Sequence, residues 1–170
     1  MRDAGAFDDL YRSTSQRLLR YCYALTGDLT AAQDVAQETY VRAWRHWRQV
    51  SDHPAPEAWL RLTASRLATD GHRRIAGLRR ALTCSGPTPP AGAPSEDAVL
   101  VAAALRLVPP NQRRALAMHY LLDLPVDDIA HELDVPAGTV KSWLSRGRRA
   151  LAAQLGPTRE GEEVSDAERR

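Results

Sequence analysis

The sequence predicts an all-α protein of two small helical domains joined by a Pro/Gly-rich linker. Three observations carry that expectation. Apolar residues recur at three- and four-residue spacings through both halves of the chain. β-Branched runs and hairpin dipeptides between alternating segments are scarce. Residues 83–95 (TCSGPTPPAGAPS) hold four Pro and two Gly among thirteen positions, a linker composition and the clearest boundary in the chain. With 170 residues, 44% hydrophobic and 26% charged, the chain can bury two such cores and is neither fibrous nor wholly disordered.

The elements follow in order. Phe7, Leu10, Tyr11, Leu18, Tyr21, Cys22 and Leu25 mark a first helix that Thr26-Gly27-Asp28 ends. Thr30-x-x-Gln33 resembles a capping box and opens the second helix. Along it Ala32, Val35, Ala36, Thr39, Ala43 and Trp47 share one face; Asp34, Glu38, Val41, Arg42 and Arg45 share the other. Ser51-Asp52-His53-Pro54-Ala55-Pro56 then forces an extended turn, because each proline restricts its own φ and the residue before it. A third helix turns Leu60, Ala64 and Leu67 inward and ends near Gly71 or the Arg73-Arg74 pair. Beyond the linker the pattern gives helices at 97–107, 111–121, 126–133 and about 137–154, with Pro109-Pro110 breaking the first from the second. The last fifteen residues are polar and acidic and read as a disordered tail. The expected divisions are therefore 1–75, a linker at 76–97, 98–155, and the tail at 156–170.

Composition removes several function classes. The longest apolar stretch, Ala98 to Leu105, is far short of the roughly 20 residues a membrane span needs, so no membrane insertion is expected. The N-terminus lacks the apolar core of a signal peptide. Cys22 and Cys84 form no CxxC pair, which favours a reducing, cytoplasmic setting over a disulfide framework. The five histidines show no metal-ligand spacing, and there is no GxGxxG, Walker loop or GxSxG. No catalytic residue, metal or cofactor is expected.

What remains is charge placement. The net charge is only +2, but 22 of the 23 basic residues are Arg, whose planar fork suits phosphates and guanine edges. Residues 125–151 (PVDDIAHELDVPAGTVKSWLSRGRRAL) carry the sharpest signal. Ile129, Ala130 and Leu133 give a short helix one apolar face, Asp134-Val135-Pro136 makes a turn, and Val140, Leu144 and Leu151 give a longer helix another. That is a helix-turn-helix, whose second helix enters the major groove. Residues 136–155 contain Lys141, Arg146, Arg148 and Arg149 and no acid, while the preceding helix and turn hold Asp127, Asp128, Glu132 and Asp134. Four neutralised phosphates would give a log–log salt slope of roughly −3.6, a modest anchor that needs help to hold DNA.

In the first half Trp44, Trp47 and Trp59, with Tyr40, flank the Pro-containing loop and precede Arg61, Arg66, His72, Arg73 and Arg74. Aromatics interleaved with Arg suit single-stranded DNA, where bases stack on rings. The same rings suit the core of a small helical domain, and the residues alone leave both open. On residues alone the chain is a DNA-binding protein with one or two sites, and a dimeric helix-turn-helix regulator is the rival reading.

The ordered motifs resemble those of the extracytoplasmic function (group IV) sigma factors of bacterial RNA polymerase. Phe7-Asp8-Asp9-Leu10-Tyr11, Ala32-Gln33-Asp34-Val35-Ala36-Gln37-Glu38-Thr39-Tyr40 with Arg42-Ala43-Trp44, and Trp59-Leu60 followed by Ala64-x-x-Leu67-Ala68-x-Asp70-x-x-Arg73-Arg74 are similar to sigma region two. Leu107-Val108-Pro109-Pro110-x-Gln112-Arg113, Asp127-Asp128-Ile129-Ala130 and Gly138-Thr139-Val140-Lys141-Ser142 are similar to sigma region four. The resemblance implies that Asp34, Gln37, Glu38 and Arg42 dock on the β′ clamp coiled coil of core RNA polymerase. The loop from Gln49 to Pro56 would capture a flipped base of the minus-ten element. Trp59, Arg61, Arg66, Asp70, Arg73 and Arg74 would support melting and hold the melted strand. Lys141, Ser142, Ser145 and Arg146 would read the minus-thirty-five element in duplex DNA, with Thr139, Arg148 and Arg149 on phosphates. The helix after Pro109-Pro110 would face the β flap, and an anti-sigma factor is the expected regulator. Two departures stand out: Arg66 where the family usually has Asn, and Trp143 where it usually has Arg. The 22 residues of the linker reach roughly 73 Å when extended. Two elements one and a half turns apart lie roughly 50–55 Å apart.

Overall fold

Eight helices and no strand make up the described residues, 4–79 and 95–155 of a computed structural model, with side chains described over 4–70 and 95–155. They are α1 (Ala4–Thr26), α2 (Leu29–Arg45), α3 (Trp47–Ser51), α4 (Pro56–Arg79), α5 (Glu96–Arg106), α6 (Pro110–Leu121), α7 (Val126–Leu133) and α8 (Ala137–Leu155). The all-α expectation holds, and the four helices of the second half fall within a residue or so of the ranges read from periodicity. The residues 80–94 of the expected linker and the expected tail at 156–170 lie outside the described residues.

The differences have local causes. Gly27, at φ +66°, closes α1 in the left-handed region that glycine enters without a Cβ penalty. The cap of α2 is Asp28, not Thr30: its extended backbone lets the carboxylate accept from the Ala31 N–H at 2.7 Å. Thr30 is exposed and lies inside the first turn. The second helix is interrupted at His46, and Trp47–Ser51 form a separate turn of helix. The third predicted helix is longer than expected. It runs through Gly71 and Arg73-Arg74 to Arg79. One glycine costs a helix only about 1 kcal/mol, and no proline follows until Pro87, so nothing local stops it. The span 76–97 is thus helical at both ends.

In the first half, Trp47 is 6% exposed and sits edge-on to Phe7 at 5.3 Å, so this ring belongs to the core. Trp59 is half-buried and packs against the same core. Tyr40 shares a 2.7 Å hydrogen bond with Thr14, which ties α2 to α1.

The two halves pack on one another. α1 lies against α2 and α4 and also against α5 and α6, and one apolar cluster runs from Leu18, Tyr21 and Leu25 to Leu105, Leu116, Met118 and Ile129. Polar contacts stitch the same seam. Arg113 of α6, 6% exposed, donates to the Leu25 carbonyl at 2.6 Å and to the Val108 carbonyl at 3.2 Å. Those bonds satisfy carbonyls that the ends of α1 and α5 leave without helical partners. Burial, with Arg106 nearby, lowers the Arg113 pKa, yet a guanidinium stays charged. Arg17 donates to the Leu122 carbonyl at 3.2 Å.

Candidate nucleic-acid interface

The α7–α8 unit is built around Ile129, Val140 and Leu144, all buried. Asp134 sits at φ 53°, ψ 52°, a left-handed position that Asp tolerates better than most residues. It lets the Val135 N–H return to the Ala130 carbonyl at 3.0 Å. The chain reverses in three residues, Asp134 to Pro136, and the Pro136 carbonyl accepts from Thr139 N–H at 2.8 Å as α8 starts. Asp127 and Asp128 occupy the first turn of α7, where they complement the helix dipole. α8 approaches α6 closely at Gly147, which is buried; a Cβ there would lie 2.8 Å from Leu116 Cδ1.

That packing fixes which side of α8 is left outside. Lys141, Ser145, Arg146, Arg148 and Arg149 are exposed, and Thr139 and Ser142 are half-buried at its N-terminal end. No salt bridge among the described residues involves any of the four cations; Arg148 donates only a long 3.4 Å bond to Tyr120 Oη. A row of unneutralised cations on one helix, presented behind a tight turn, is the electrostatic footprint of a groove-binding element.

On α2, Asp34 and Gln37 are exposed, and Glu38 pairs with Arg42 at 2.8 Å with both side chains nearly half exposed. Such an i,i+4 pair is worth only about 0.3–0.5 kcal/mol, so it holds the face in shape and yields easily to a partner. Beside this face an open, mostly apolar groove of about 960 Å³ runs between α1 and α2, lined by Phe7, Tyr11, Tyr40, Val41 and Trp44. The sequence pattern marked these residues as helical faces but not as a groove.

Along α4, Trp59 is half-buried and Arg66 and Asp70 are exposed. The side chains of Arg73 and Arg74 lie outside the described residues. Arg61 is placed differently. Its Nη2 lies 2.7 Å from Glu132 Oε2 and its Nε donates to Glu132 Oε1 at 3.0 Å, with the two side chains only 11% and 10% exposed. Burial pulls the Arg61 pKa down, but the hydrogen bonds and charge of Glu132 outweigh it, and the net direction is up. Glu57 adds a 3.5 Å contact. Sequence reasoning found Arg61 as a cation and missed Glu132 as its partner, 71 positions away. It also missed Arg113 as an interior residue, and no local signal marks either.

The comparisons agree with this layout. The Sigma-70 region 2 family matches residues 10–77, and the Sigma-70 region 4 family matches residues 98–151. The chain is 35% identical to the ECF RNA polymerase sigma factor SigL of Mycobacterium tuberculosis (strain ATCC 25618 / H37Rv), covering 92% of this chain and 94% of the relative. It is 28% identical to SigW of Bacillus subtilis (strain 168), covering 90% of each. Among solved structures it superposes on the sigma factor RpoE in complex with the anti-sigma factor NepR from Bartonella quintana, with a TM-score of 0.69 at 23% identity, covering 88% of this chain and 96% of that one. It also superposes on CnrH in complex with the cytosolic domain of CnrY, with a TM-score of 0.64 at 21% identity, covering 90% and 89%. These likenesses show the fold. With both family matches in order, and a 35%-identical relative covered almost end to end, the chain belongs to the ECF sigma factors of RNA polymerase, DNA-binding regulators of transcription initiation.

Proposed function

We propose that this sigma factor divides promoter recognition between its halves in the way its exposed residues suggest. Residues 1–75 bind core polymerase through Asp34, Gln37, Glu38 and Arg42. They handle the minus-ten element through Trp59, Arg61, Arg66, Asp70, Arg73 and Arg74. Residues 98–155 read the minus-thirty-five element through Lys141, Ser142, Ser145 and Arg146, with Thr139, Arg148 and Arg149 on phosphates. Residues 76–97 tether the two, and 156–170 form an acidic tail. The observation that carries this reading is the exposed, acid-free cation row of α8 behind the left-handed turn at Asp134. The polymerase supplies most of the binding energy, because four cations are a modest anchor and melting needs a surface that stabilises unstacked bases.

The protein has no catalysis of its own and works in the cytoplasm; no described helix is long and apolar enough to cross a membrane. Two structural neighbours are sigma factors bound to anti-sigma factors or to a partner's cytosolic domain, which supports an anti-sigma partner for this chain as well. The aromatic groove beside α2 adjoins the polymerase face, so an inhibitor seated there would block both.

Run-off transcription with purified core polymerase tests the reading. Specific initiation is expected on fragments of the parent genome, including the region upstream of the gene. It should be lost with Glu38→Arg and with Arg146→Ala. No transcript, together with dimeric binding of duplex DNA by the protein alone, would overturn it in favour of an ordinary helix-turn-helix regulator.

A further inference from the structure

We propose that the packing of the two halves is an autoinhibitory latch, in which Glu132 holds Arg61 away from DNA and opening must precede promoter binding. The proposal rests on the assignment of Arg61 to the melted strand made above.

Three observations carry it. The first is that Arg61 cannot serve both partners. Its fork is occupied by both oxygens of Glu132, at 2.7 and 3.0 Å, and the pair is about nine-tenths buried between α4 and α7. The second is distance. Glu132 lies five residues before the start of α8, at most about 18 Å of chain. Contact between Arg61 and Glu132 therefore keeps the base-reading helix close to α4. Promoter elements one and a half turns apart lie roughly 50–55 Å apart. The closed form cannot touch both.

The third is that the seam is built to part. Tyr21 Oη on α1 and Arg114 Nε and Nη2 on α6 are buried with no hydrogen-bond partner among the described residues. Closure withholds water from these groups, and opening returns it. A polar, incompletely satisfied seam is that of a transient interface. Gly27 belongs to the same device. A Cβ there would overlap the Arg106 side chain, so a residue without a side chain lets α5 close on the end of α1.

Removing Glu132 strands the Arg61 charge only in the closed state, so it shifts the balance toward open. Losing one partner of a buried pair changes such a balance by roughly a hundredfold. The experiment uses the full chain with Cys84→Ser and dyes on cysteines introduced at Arg48 and Ser145, both exposed; Cys22 is buried and stays unlabelled. Single-molecule energy transfer should show one short-distance population for the otherwise wild-type chain. Glu132→Arg should convert it to a long-distance population, and adding Arg61→Glu should restore the short one. If the reversal fails to fold by circular dichroism, the isosteric Glu132→Gln takes its place, with the same lengthening expected. A folded Glu132 variant that keeps the wild-type distance overturns the latch. So does a charge swap that leaves the distance long. These distances need no polymerase, so a failed latch is distinguishable from a failed sigma assignment, which run-off transcription by the unlabelled wild type reports.

Discussion

Tyr21 is fully buried, and its hydroxyl has no hydrogen-bond partner among the described residues. Burial pushes its pKa up from 10.0 to about 12, with Arg114 offsetting only part of the rise. Burial likewise pushes Cys22 from 9.0 to about 12, and Tyr40 from 10.0 to about 12. Two expectations follow. A lone buried hydroxyl loses its hydration without a return, so Tyr21→Phe should leave stability unchanged or raise it by up to about 1 kcal/mol in urea unfolding. All three groups are neutral when protonated and have folded-state values above their unfolded ones. Their contribution is therefore complete below about pH 9 and lost as pH rises toward 12, because the unfolded chain gives up its protons first. The urea midpoint should fall between about pH 8 and pH 11. A thiol held this high is also a poor nucleophile, which makes Cys22 a core residue and no redox sensor. At this scale the sequence is only half legible. Residue type and apolar spacing mark Tyr21, Cys22 and Trp47 as core candidates. The partners of Arg61 and Arg113 are set by packing between segments 71 and 88 positions apart, which no local pattern encodes.

Among the elements, α8 carries two glycines with opposite duties. Gly147 faces α6, where an added methyl would meet Leu116 at 2.8 Å; Gly138 has nothing within 4 Å. Gly147→Ala should cost stability, by about 1–3 kcal/mol, since the core must shift to admit the carbon. Gly138→Ala should be neutral or add up to about 1 kcal/mol of helix propensity. Thermal melts of the two variants would separate them. The cation row on the outer side of α8 makes a different prediction. Binding of the holoenzyme to a minus-thirty-five duplex should weaken as salt rises, and Lys141→Ala should flatten that log–log slope by about 0.9. Helix positions were legible because apolar spacing, prolines and the turn at Asp134 all act locally. The end of α4 was not, because a Gly and an Arg pair are weak stop signals and the first strong one, Pro87, comes later.

For the whole molecule, the all-α plan and its two halves were legible, but their mutual packing was not. Seam residues such as Leu105, Leu116 and Ile129 look from sequence like the private core of the second half. The extra length of α4 has a consequence at this scale. With helix through Arg79 and again from Glu96, the non-helical tether is the sixteen residues 80–95, and it reaches at most about 53 Å. The 22-residue linker inferred from composition had slack to spare; the observed one has almost none against elements roughly 50–55 Å apart. The tether is then a gauge for promoter spacing. Deleting four residues between Ser85 and Pro90 removes about 13 Å of reach and should move the transcription optimum to shorter spacers, whereas inserting four should leave the original optimum intact. Initiation measured across a set of promoters that differ only in spacer length would show whether the chain selects its genes partly by counting base pairs.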